Sequence, residues 1–217
     1  MPRLIDPSLE KLSSIMSEMG ENAITCISLA IDSFLEGRNT SKQILELSEN
    51  IRGKYFDVED LTFDMMLKYQ PVADDFRLIR SSTEISYAFN RFGRYAYDIS
   101  LVRDVFGDVS ECVDPTLIES SQKVKNLIKN AVTSFAQLDI RKASQIQEDE
   151  ETIDKIYKER LPQLIKSTNT KCAIMETLIL RYLERIGDHA VFMSDAINYI
   201  VTGKHRPSKR RIEEHTK

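Results

Sequence analysis

An all-α fold, built as two tandem antiparallel three-helix bundles related by internal pseudo-symmetry, is what this sequence predicts, and three observations carry it. Apolar residues recur at helical spacings of three and four almost throughout, with no convincing strand alternation. Seven Gly, six Pro and no Trp leave few chain breaks, which favours long helices over many short strands. A series of three long helical segments also ends near residues 108–115 and then begins again, the mark of a tandem repeat.

The elements follow in order. A first helix is expected over residues 7–35, closed by "EGRNT", in which Gly37 suits a C-cap and Thr40 or Ser41 the next N-cap. A second covers 42–69, with Pro71 just beyond it, and a third runs over 74–106 until "FGDVSECVDP" stops it. Asp114 followed by Pro115 is a cap and a first-turn proline, opening a fourth helix to about Gln137. After the turn "LDIRKAS", a fifth helix spans 140–166 and a sixth 170–202, closing at Gly203. A helix of 30 residues is about 45 Å long, too long for a compact globin-like cluster, so the segments pack as up-down bundles. The divisions are 1–107 for the first bundle, 108–203 for the second and 204–217 for a basic tail. In the sixth helix Met175, Ile179, Tyr182, Ile186, Ala190, Met193, Ile197 and Ile200 form one apolar stripe, read as core.

Composition narrows the class. With 41% apolar and 29% charged residues, the chain is that of an ordinary soluble protein with a sizeable core. A net charge of −4 gives no reason to expect nucleic-acid binding. No apolar run approaches the roughly 18 residues of a membrane span, and the N-terminus lacks a signal-peptide core, so a cytoplasmic location without membrane insertion is expected. Cys26, Cys112 and Cys172 are odd in number, widely spaced and without a C-x-x-C pair, which predicts reduced core thiols.

Chemistry concentrates in the second half. The stretch "RYLERIGDHA" sets Glu184 and Asp188 one turn apart, on the side opposite the apolar stripe. Like charges at that spacing repel by a few tenths of a kcal/mol, a cost that a shared cation or plain solvation removes. "EDEETIDKIY" repeats the spacing with Glu150 and Asp154. Neighbouring helices lie about 8–10 Å apart, so the two pairs can converge into a patch of four carboxylates. Such a patch suits hard or borderline cations held by oxygen. A ferritin-like site would need Glu-x-x-His on two helices, whereas His189 stands five residues after Glu184. His189 is also turned about 100° away from Asp188, which gives it a supporting or surface role.

"LERIGDHA" followed by "INYIVTGKHR" resembles the carboxy-terminal signature of the PhoU family of phosphate-uptake regulators. "FLEGR" and "YQPVADDFRLIR" add resemblance in the first half, so that nearly the whole chain is covered. The resemblance implies two three-helix bundles whose E(D)-x-x-x-D motifs bind multinuclear iron or zinc clusters on the bundle surface. Carried over residue by residue, the ligands in the second half are Glu150, Asp154, Glu184 and Asp188. In the first half "ELSENIRGKY" and "FNRFGRYAYD" place Ser48, Arg52, Asn90 and Arg94 there instead. Guanidinium is always charged and only donates, so a cluster is expected in the second half alone. Arg52 and Arg94 are then expected to pair with acids such as Glu49 and Asp98, with an anion site as the other reading.

No Gly-rich phosphate loop, nucleophile elbow or H-E-x-x-H motif is present. The resemblance therefore implies a non-catalytic negative regulator of phosphate transport and homeostasis. It would act by contact with the ATPase of a phosphate ABC transporter or with a sensor kinase, a homodimer being an allowed assembly. The alternative is a metal-dependent hydrolase or oxidase that uses the carboxylate patch. The basic tail "GKHRPSKRRIEEHTK" is expected to be a solvated end, with contact to an anionic lipid or acidic partner as the other reading.

Overall fold

Six long helices lie at, or within about two residues of, the positions the periodicity predicts. The computed structural model describes residues 3–205, and the tail beyond His205 lies outside them. Among the described residues there is no strand. The first bundle comprises α1 (Asp6–Glu36), α2 (Ser41–Tyr69) and α3 (Ala73–Phe106). A 3-10 turn (Ser110–Cys112) leads to α4 (Pro115–Gln137), α5 (Ile140–Ile165) and α6 (Thr170–Thr202).

Local chemistry ends each helix. Gly37 takes a left-handed φ of 74° at the end of α1, and Gly203 one of 70° at the end of α6. Asp114 accepts from the Leu117 N–H at 2.9 Å, as its cap position predicts. Thr40 occupies the N-cap of α2 but its hydroxyl makes no capping bond; Asn39 accepts from the Ser41 N–H at 3.4 Å instead. Asp139 and Asn169 cap α5 and α6 through the N–H groups of Arg141 and Cys172. The α5 helix runs through Pro162 in its last turn, where the lost N–H leaves the Lys158 carbonyl without its intrahelical donor.

The apolar faces of all six helices join one core. The bundles meet where α3 packs on α6 and α1 on α4. Lys125 on α4 donates to both carboxylate oxygens of Asp32 on α1 at 2.8 and 2.9 Å, and Arg77 on α3 donates to the Ile200 carbonyl on α6 at 3.1 Å. Because α6 touches α3, α4 and α5, it is buried on more than its predicted stripe, and Leu180, Leu183, Glu184 and Gly187 join the interior. Tyr182, placed in the stripe, is only half-buried and lies against the Tyr95 ring.

The cysteines depart from expectation. Cys112 and Cys172 form a disulfide, their Cα atoms 5.0 Å apart, while Cys26 alone is a buried free thiol. The 3-10 turn of the linker docks on the first turn of α6, and 60 residues of sequence conceal that proximity. Burial raises the Cys26 thiol to about 12, so it stays protonated and inert.

Candidate metal centre

The four acids of the second bundle lie along the α5–α6 contact. Glu150 and Asp154 come from α5, Glu184 and Asp188 from α6, each pair one turn apart. Gly187 sits between the α6 acids, and a Cβ there would stand 3.1 Å from Glu150 Cγ. The missing side chain thus lets the two helices approach and seats Glu150 between Glu184 and Asp188. The contact sets Glu150 against the α6 turn that carries Glu184 and Asp188.

Their burial differs from expectation. Glu150 is 4% exposed and Glu184 3%, so these two are interior rather than surface acids. The cause is that α6 packs on three helices, so the side opposite its apolar stripe also meets a neighbour. Asp154 and Asp188 lie nearer the rim. Three cations stand over the cluster: Arg181 on Glu184 at 2.8 Å, Arg185 on Asp188 at 3.2 Å, and Lys158 on Asp154 at 2.7 Å. Two buried carboxylates side by side need positive charge close by. The donor set, oxygen only and partly enclosed, fits a hard or borderline cation. Among the described residues, the group whose ligand-type atoms all lie within 4.8 Å of one another is Glu111, Cys112 and Cys172, but both sulfurs are spent in the disulfide.

The first bundle repeats the geometry with different chemistry. A Cβ on Gly93 would stand 3.3 Å from both the Cα and the Oγ of Ser48, as one on Gly187 meets Glu150. Ser48 and Glu150 are thus structural counterparts. Arg52 pairs with Glu49 at 3.5 Å and Arg94 with Asp98 at 3.1 Å, the expected acids.

The close approach makes a testable contrast. A Cβ on Gly53 would meet nothing within 4 Å. Gly53→Ala should therefore stabilise the protein by about 0.5–1 kcal/mol through lower chain entropy. Gly93→Ala should destabilise by about 1–3 kcal/mol, because the Ser48 backbone cannot swing aside like a side chain. Urea denaturation of both variants reads the difference. Equal effects would show that the glycine is no spacer.

His189 is not beside the acids' oxygen atoms but between the bundles, ringed by Tyr87 and Tyr95 of α3 and Phe192 of α6 at 5.7–5.8 Å. Burial first, then the charges of Arg91 and Arg185, lower it to about 4, so it is neutral near pH 7. Its role is packing at the seam, a supporting one.

Known proteins resemble this chain along most of its length. A family model described as the PhoU domain matches twice, over residues 16–102 and 117–197. The chain is 23% identical over 210 residues to a phosphate-specific transport system accessory protein PhoU homolog of Clostridium acetobutylicum, covering 93% of this chain and 96% of that protein. It is 26% identical over 219 residues to a homolog of the same description from Pseudomonas putida, covering 95% and 85%. A crystal structure of PhoU from Pseudomonas aeruginosa is similar in fold, with a TM-score of 0.84 at 22% identity, over 92% of this chain and 100% of that one.

Proposed function

The chain belongs to the PhoU family, and on that premise we propose that it is a non-catalytic, negative regulator of phosphate uptake and phosphate-starvation signalling. It acts by contact with a phosphate transporter ATPase or a sensor kinase. The support is twofold. Relatives that align over nearly their whole length are named as phosphate-transport accessory proteins. The sequence also carries no Gly-rich phosphate loop, nucleophile elbow or H-E-x-x-H motif. No described helix is long and apolar enough to cross a membrane, so any action on a transporter passes through its partner's exposed surface. A cytoplasmic site of action belongs to the same proposal.

One observation carries the metal part of the reading: buried carboxylates in the second bundle stand where the first bundle has Ser48 and Asn90. Glu150, Asp154, Glu184 and Asp188 would hold a multinuclear iron or zinc cluster, in the second bundle only. When bound, such a metal supplies positive charge that offsets the repulsion of the acids. The residues do the rest: α5 and α6 position the oxygens, and Gly187 keeps them close.

Two measurements test this. Metal analysis of the purified protein should show bound iron or zinc that Glu184→Ala/Asp188→Ala mostly removes, while Ser48→Ala and Asn90→Ala leave it in place. Full occupancy in the double variant places the metal elsewhere. In cells, deleting the chain should raise phosphate uptake or derepress starvation responses when phosphate is plentiful. An unchanged response in the deletion strain, with turnover that depends on Glu150 and Glu184, would favour a metal-dependent hydrolase or oxidase.

A further inference from the structure

The first bundle carries an apolar face that its own core does not use. On α2, Ile44, Ile51, Val58 and Met65 face inward. Leu45, Phe56, Phe63 and Leu67 form a second stripe, confined to about 40° of the helix at 100° per residue and pointing outward. Phe63 is 63% exposed and Leu67 65%. Scattered exposed apolar residues are ordinary, but an aligned stripe of this kind marks a contact surface.

The neighbouring helix turns the stripe into a groove. Thr62 and Thr83 share a hydrogen bond at 3.1 Å, and the Tyr55 and Tyr87 rings lie 6.2 Å apart, which sets α3 antiparallel beside α2. Between them lies an open groove of about 560 Å³, walled by Phe63 and Met66 on one side and Arg80 on the other. Phe76 and Tyr87, one turn from Arg80 and Thr83 on α3, and Phe56 and Leu67, on the Phe63 stripe of α2, are exposed beyond the groove's own lining. From Leu67 to Phe56 the length is about 16 Å, three turns of a docked helix.

Charge selects the occupant. Glu59, Asp60 and Glu84 line the groove, with Arg80 as the one cation, itself paired to Glu84 at 3.3 Å. Residues 55–67 of α2 hold Asp57, Glu59, Asp60 and Asp64 with no Lys or Arg. A second copy docked face to face about a two-fold axis would set these acids against each other, so self-association is disfavoured here. We propose that the α2–α3 groove docks an amphipathic helix of a partner protein, apolar on one face and flanked by Lys or Arg. The inference rests on the regulatory reading, since it names the surface through which that contact is made.

Two arms test it. In the first, the full chain is titrated with a labelled 18-residue Leu/Lys amphipathic peptide and with the same peptide bearing Glu for each Lys. The Lys peptide should bind, and Phe63→Ser/Leu67→Ser, at exposed positions, should weaken it at least tenfold. Asp60→Lys/Glu84→Lys should reverse the preference between the peptides. Equal binding of both peptides, or undiminished binding to the Phe63/Leu67 variant, overturns the proposal. So does sedimentation showing that this variant turns a dimer into a monomer, which would make the face a self-interface. The second arm returns each form to a strain lacking the chain. Restored phosphate repression by the wild type but not by the equally stable variant supports the groove. Full restoration by the variant overturns it. A wild type that restores nothing sinks the regulatory reading instead, and the peptide arm then decides the groove alone.

Discussion

Reduction of the Cys112–Cys172 disulfide is expected to lower the melting temperature by about 10 °C while leaving the helices formed. The bond links positions 60 residues apart. Closing a loop of that size removes about 4 kcal/mol of denatured-state entropy. In a chain of this size each kcal/mol shifts the midpoint by about 2–4 °C. The reduced protein should remain folded, because other contacts hold the linker. Val109 is buried, and Lys171 on α6 donates to the Asp108 carbonyl at 2.7 Å. Calorimetry with and without reductant measures the shift, and Cys112→Ser/Cys172→Ser should reproduce it. Cys26→Ser serves as a control that removes no cross-link. An unchanged midpoint in reductant would show that the bond constrains nothing. In the reducing cytoplasm proposed as the site of action the two thiols would be held reduced, so the shift is read on protein oxidised after purification.

That bond marks where sequence reasoning loses reach. Helices were legible because their signal is local: a 3.6-residue period, Gly37 and Gly203 at the ends, Asp114 before Pro115. The acid pairs were legible for the same reason, each being one turn of one helix. The repeat aligned Ser48 with Glu150 and Gly93 with Gly187, an alignment the two close approaches reproduce. Their burial was not legible, since it depends on how many neighbours α6 acquires. A single helix shows one apolar stripe, but α6 contacts three helices and takes Glu184 inside. The cysteines failed similarly: nothing within either local segment says that a linker turn will dock on the start of α6. The Asp139 and Asn169 caps were readable from residue type before a periodic run, a local signal of the same kind.

The second large effect is expected at Arg160, a residue that no spacing in the sequence singles out. It reaches from α5 to the other two helices of its bundle. Its Nε and Nη2 donate to the two oxygens of Glu176 on α6 at 2.6 and 3.1 Å, Nη2 also meets Asp114, and Nη1 donates to Gln163 at 2.9 Å. Asp114 is at the same time the cap of α4. One guanidinium therefore ties the start of α4 to α5 and α6, using the planar fork that Lys lacks. Glu176 is 3% exposed, and its two carboxylate oxygens accept hydrogen bonds from this guanidinium. Arg160→Met keeps most of the side-chain volume but strands the buried carboxylate, and should cost about 3–5 kcal/mol. Arg160→Lys should recover only part of that, for want of the bidentate contact. Arg160→Met/Glu176→Met should be more stable than Arg160→Met alone, because the unpaired charge is gone. Chemical denaturation of the three variants and the Glu176→Met single completes a double-mutant cycle. Additive losses across that cycle would mean that Arg160 acts by packing alone, and that the end of the second bundle is held by its apolar contacts and the disulfide.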